Sequence, residues 1–88
     1  MKPHTKIYFK YFGYGIDDFI PCEICGRKAV DIHHIKYRSQ GGTNEITNVM
    51  ALCRDHHLKA HDGRIHAQVL TARHEMFMNE AKNQDNRL

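Results

Sequence analysis

Along this chain the apolar positions change their spacing from one segment to the next, and the changes mark out the elements. Residues 1–20 hold most of the aromatic side chains, Tyr8, Phe9, Tyr11, Phe12, Tyr14 and Phe19, broken by Gly13 and Gly15 and stopped by Pro21. This N-terminal arm reads as a short helix or strand, a glycine turn and an aromatic flap packing on the central segment. Residues 29–35, Ala-Val-Asp-Ile-His-His-Ile, carry β-branched positions and read as a strand. The stretch 37–48 is polar, contains Gly41-Gly42-Thr43-Asn44, and reads as a loop. Val49-Met50-Ala51-Leu52 is a short apolar run, consistent with a second strand returning antiparallel to the first. From Arg54 the pattern is helical until Asp62-Gly63 breaks it, and a second helix is expected over 64–82, with Ile65, Val69, Ala72 and Met76 at spacings of three and four. Residues 83–88 are polar and expected to fray. The fold class is therefore α+β, a single domain over 1–88 with an arm (1–20), a core (21–62), a C-terminal helix (64–82) and a tail (83–88).

Composition narrows the class. The chain has 88 residues, 41% hydrophobic and 26% charged, which suits one folded, soluble domain. A core of that size supplies little stability unaided, so a metal staple is physically welcome. No apolar run approaches the roughly 20 residues needed to cross a bilayer, so no membrane association is expected. Met1-Lys2-Pro3-His4 leads into a tyrosine- and lysine-rich segment with no apolar stretch of the signal-peptide kind. A cytoplasmic location, where thiols stay reduced, is the expectation. The three cysteines, an odd number, speak for metal binding over a disulfide framework. A formal net charge of +3 permits a polyanionic partner without requiring one. Lys2, Lys6 and Lys10 interleave with the aromatics of the arm, so it serves either core packing or contact with nucleic acid.

Cysteine and histidine spacing brings in the chemistry. Cys22-x-x-Cys25 and Cys53-x-x-His56 are two knuckles, each able to aim two donors at one point. Together they supply the four nitrogen and sulfur ligands of a tetrahedral structural zinc. The alternative is three buried, inert cysteines. Such a zinc clamps the base of the hairpin to the start of the helix.

His33, His34, His57 and His61 remain. His57 and His61 are four apart on the expected helix, so their rings share a face, whereas His56 and His57 point about 100° apart. On a pleated strand His33 and His34 face opposite sides. If His33 joins His57 and His61, three imidazoles hold a cation with positions left open, as in a catalytic site. His34 would then be free to take a proton, with an ordinary pKa of about 6.5. Each pair alone could equally be exposed histidines; their joint appearance, bracketed by zinc ligands, favours the functional reading. His4, His66 and His74 are left as surface or helix-face residues without a partner.

The run Cys22-x-x-Cys25, His33-His34-Ile35, Gly41-Gly42, Asn48-Val49-x-x-Leu52-Cys53-x-x-His56-His57 resembles the HNH endonucleases of ββα-metal fold, and most of all small phage-type members stapled by a structural zinc. The resemblance covers roughly residues 20–61. It implies that His34 is the general base, that Asn48 braces the loop that orients that base, and that His33, His57 and His61 bind the catalytic metal. The chain departs from the pattern at His56, where most relatives carry cysteine, and at His33-His34, where many have Asp-His. The metal site is thereby nitrogen-rich, and Mg2+, Mn2+, Ni2+ or Zn2+ are the candidate cations, with three imidazoles better suited to Zn, Ni or Mn than to Mg.

What the resemblance implies is metal-dependent hydrolysis of DNA phosphodiester bonds, by nicking or double-strand cleavage, to 5′-phosphate and 3′-hydroxyl ends. Lys36, Arg38, Arg54 and Lys59 flank the motif as candidate phosphate contacts, with ordinary solvated charges as the alternative. Asp31, two before His33 on the same strand face, is a candidate hydrogen-bond partner behind the metal ligands. A non-catalytic zinc-binding nucleic-acid module and an RNase on the same fold are the competing readings. DNA is the expected partner, bound with weak sequence preference; a homodimer or a larger phage packaging or recombination machine stays open.

Overall fold

The computed structural model describes residues 1–85, and side chains as far as residue 82. Its order is helix α1 (Pro3–Phe12), strand β1 (Asp31–His34), strand β2 (Val49–Leu52), helix α2 (Arg54–His61) and helix α3 (Ala67–Asp85), with single 3-10 turns at Arg38–Gln40 and Ile46–Asn48. The α+β class, with a two-stranded antiparallel hairpin leading into a short helix, is the expected one.

The arm is helical. Pro3 stands in the first turn of α1, where its missing N–H leaves nothing unsatisfied. Gly13 ends the helix in the left-handed region at φ 74°, its N–H donating to the Phe9 carbonyl.

The pleat of the hairpin organises everything else. The strands pair Asp31 with Leu52, Ile32 with Ala51, His33 with Met50 and His34 with Val49. All four residues of β2 are buried, because both faces of the hairpin are covered. Met50 and Leu52 join Cys22, Ile35, Cys53, Ala60 and Leu70 on the side of α2 and α3. Val49 and Ala51 join Tyr8 and Ile32 on the side of α1, with Phe9, Phe12 and Tyr14 packed around them. Period-2 alternation therefore sends His33, opposite Met50, toward α2, and His34, opposite Val49, toward α1. Burying a side chain such as Leu52 or Met50 completely contributes about 1.5–3 kcal/mol, so this thin sheet is the centre of the fold.

Three expectations need correction. The first strand is shorter than 29–35, since Val30 and Ile35 continue the ladder only by single hydrogen bonds to Leu52 and Asn48. The last helix spans Ala67–Asp85 instead of 64–82, so residues 83–85 of the expected tail are helical, and 86–88 lie outside the described residues. Its buried face is also different: Val69 and Met76 are exposed, while Leu70 and His74 are buried.

His74 is held in the core by two contacts. Its Nδ1 lies 2.6 Å from Glu23 Oε1 and its Nε2 2.6 Å from the Ile46 carbonyl oxygen. The Tyr8 hydroxyl donates to the other carboxylate oxygen of Glu23 at 2.6 Å. One buried carboxylate thus ties α1, the first knuckle and α3 together. No helix among the described residues is long and apolar enough to cross a membrane.

Candidate active site and metal centre

The two knuckles close on each other as their spacing requires. A turn at 22–26, with Gly26 N–H donating to the Cys22 carbonyl, presents Cys22 and Cys25; the start of α2 presents Cys53 and His56. Sγ of Cys22 lies 3.6 Å from His56 Nδ1, Cys53 Sγ 3.3 Å from the same nitrogen, and Cys25 Sγ 3.7 Å from Cys53 Sγ. A tetrahedral zinc about 2.3 Å from sulfur and about 2.0 Å from nitrogen sets its donors about 3.5–3.8 Å apart, so this Cys3His group fits a structural zinc. Among the described residues it is the one group of this kind whose donor atoms all lie within 4.8 Å of one another. Arg27 reinforces it, with Nε donating to Cys25 Sγ at 3.5 Å and a terminal nitrogen donating to Asp55 at 3.2 Å. That guanidinium holds the exposed Cys25 thiol down to about 6, which favours the thiolate a metal needs, whereas burial pushes Cys22 up.

On the same face of the hairpin, toward His57 and His61 of α2, a second set of histidines gathers. The rings of His33, His57 and His61 have centroids 5.2, 5.3 and 6.0 Å apart, and Tyr37 packs against His33 and His61. Burial, and then the neighbouring His57 and His61, bring His33 down to about 4, so it sits there as a neutral imidazole, the form that ligates metals. The donor atoms of these three rings are spread more widely than those of the Cys3His group. Asp31 Oδ2 lies 3.2 Å from His57 Nε2. A carboxylate at one imidazole nitrogen leaves the other as the available donor, the usual arrangement behind a metal-binding histidine. A set of three imidazoles with a nearby carboxylate suits a borderline divalent cation.

His34 faces away from this trio. Its Nε2 lies 2.8 Å from Asn44 Oδ1, an oxygen that can only accept, so Nε2 carries the hydrogen and Nδ1 keeps its lone pair. Asn44 is held out by the loop, and the loop is held by Asn48. The Asn48 amide donates to the carbonyls of Lys36 at 3.0 Å and Thr43 at 2.8 Å, and its oxygen accepts from Lys36 N–H at 2.8 Å. Gly42 lets the loop close this far: a Cβ there would lie 1.8 Å from the Lys36 carbonyl oxygen.

One open cleft of about 420 Å³ takes in His33, His34, His57 and His61 together with Asp31, Tyr37, Arg38, Lys2 and His4. Of the expected phosphate contacts Arg38 lines this cleft. Arg54 lines a separate depression of about 290 Å³ beside the zinc knuckle with Arg27 and Lys28. Lys36 and Lys59 are exposed and line neither. A larger cleft of about 620 Å³ between α1 and α3 is walled by Tyr11, Phe12, Tyr14 and Phe77 and contains no histidine or cysteine.

Sequence reasoning misses Asn44, which reads only as part of a loop, and His4. The His4 ring lies 4.3 Å from that of His34, and its Nε2 lies 3.0 Å from the Ile32 carbonyl oxygen. Nothing local in the sequence signals this contact, since it depends on α1 crossing the hairpin.

No curated protein and no solved structure matches the chain. One family does: its model, described as HNH endonuclease, matches residues 22–63, from Cys22 of the first knuckle to Gly63 just beyond α2. The matched segment contains both knuckles, the hairpin and the four clustered histidines, and over it the chain is similar to the HNH endonuclease family.

Proposed function

We propose that this protein is a metal-dependent endonuclease that hydrolyses phosphodiester bonds in DNA to 5′-phosphate and 3′-hydroxyl ends. The observation that carries this reading is the division of labour at β1. His33 turns to the imidazoles of α2, while His34, one residue on, is fixed by Asn44 with a free Nδ1 in the same cleft.

His33, His57 and His61 would hold the divalent cation, with Asp31 orienting His57. When bound, the cation supplies Lewis-acid stabilisation of the charge that builds on the phosphate and on the leaving oxygen. His34 Nδ1 takes a proton from a water placed in line with the scissile bond, the water oxygen bonds to phosphorus, and the 3′ oxygen departs and is protonated. Asn48 serves by keeping the 37–48 loop, and with it Asn44, against His34. Lys2 and Arg38 at the cleft are the cations best set to contact backbone phosphates, with Lys36, Arg54 and Lys59 further out along the strand.

Incubating supercoiled plasmid with the purified protein in Mg2+, Mn2+, Ni2+, Co2+ or Zn2+, with a structured RNA in parallel, tests this reading. Nicked or linear DNA in at least one metal is the expected result. Cleavage confined to RNA would move the substrate class, and no cleavage in any metal would leave a zinc-stapled binding module instead.

A further inference from the structure

The family match begins at residue 22, yet one wall of the histidine cleft comes from outside it. Helix α1 crosses the face of the hairpin to which the pleat directs His34, and Tyr8, fully buried beneath Val49 and Ala51, pins it there. One turn before Tyr8, this places His4 over the β1 backbone. His4 Nε2 lies 3.0 Å from the Ile32 carbonyl, an acceptor, so this nitrogen carries the hydrogen and anchors the ring. Anchored in that way, the ring lies 4.3 Å from the His34 ring at an interplanar angle of 45°.

We infer that His4 is a positioning residue for His34, bracing its imidazole on the ring face while Asn44 fixes its edge. This rests on the reading of His34 as the general base. A hydrogen bond to Asn44 alone leaves the ring able to swing about the Nε2–Oδ1 axis, and a second contact on the face removes that freedom. Holding Nδ1 in line with a water is an orientation effect, so it acts on turnover and leaves binding alone. Burial first, and then the neighbouring His34, hold His4 below its ordinary pKa. The active unit is then larger than the matched segment and includes α1.

The test uses the full chain, zinc-loaded, with His4→Ala and His4→Phe beside the natural protein. His4→Ala is expected to lower kcat for plasmid nicking about tenfold, a part of what a positioned base contributes, with KM within about twofold. His4→Phe, which keeps a ring on His34, is expected to recover most of that loss. In parallel, 15N NMR of the imidazoles should show His34 as a single Nε2–H tautomer in the natural protein and in His4→Phe, and as a mixture in His4→Ala. An unchanged kcat in His4→Ala, a change in KM alone, a phenylalanine variant no better than alanine, or an unchanged tautomer would each overturn the inference. If His34→Ala cleaves like the natural protein, the assignment of the base fails instead, and the tautomer measurement still decides whether His4 fixes the ring.

Discussion

His74 and Glu23 lie 51 positions apart and meet at 2.6 Å inside the core, with the second His74 nitrogen on the Ile46 carbonyl. Both ring nitrogens face oxygens that accept, which only the imidazolium satisfies in full. Burial works against that charge, yet the hydrogen bond and negative charge of Glu23, and then the Ile46 carbonyl, outweigh it and raise the His74 pKa above the ordinary value.

Stability should therefore depend on pH. Because the folded-state pKa is raised, the contribution of His74 is fully present below its unfolded value of about 6.5 and is lost as pH rises through the folded value. Urea denaturation of the natural protein and His74→Gln, with zinc held constant, should show a gap of about 3 kcal/mol at the acidic end, narrowing as pH rises. A gap that stays flat or widens toward alkaline pH contradicts the assignment.

Zinc is expected to be inseparable from the fold. Cys22 is buried and its Sγ closes on His56, so Cys22→Ser removes a donor from a group with no spare. In a domain this small the free energy of metal binding is largely that of folding. The variant should retain no stoichiometric zinc and lose its helical circular dichroism, and a chelator should do the same to the natural protein. A folded, metal-free variant would refute this.

Gly42 is the tightest point of the loop behind His34. A Cβ 1.8 Å from the Lys36 carbonyl oxygen must push the 37–48 loop off β1 and draw Asn44 away from His34. Gly42→Ala is expected to destabilise by about 1–3 kcal/mol, as forced packing does, and to reduce cleavage more than that loss of stability explains. Stability and cleavage both at natural levels would show that the loop has slack.

Elements set by local pattern are legible in the sequence; contacts set by tertiary crossing are not. Val49–Leu52 and Arg54–His61 declare themselves through an apolar run and a glycine stop, and the knuckles through spacing alone. His33 and His34 separate because a pleat alternates, which any strand does. In α3 one of the core positions is filled by a histidine: counting apolar residues selects Val69 and Met76, whereas the buried turn runs through Leu70 and His74. Its partners, Glu23 and the Ile46 carbonyl, make that burial tolerable, and the pairing is invisible to periodicity. His4 escapes a reading of the sequence for a related reason, since its neighbour on β1 is fixed by where α1 crosses the sheet.

In the proposed mechanism adjacent histidines have different tasks, His33 binding metal and His34 taking the proton. Plasmid nicking by His34→Ala, at zinc content and circular dichroism equal to the natural protein, tests it most directly. The expected result is a loss of about 100-fold or more in kcat, the usual worth of a positioned general base, with DNA binding retained. Nicking at the natural rate by that folded, zinc-loaded variant would contradict it.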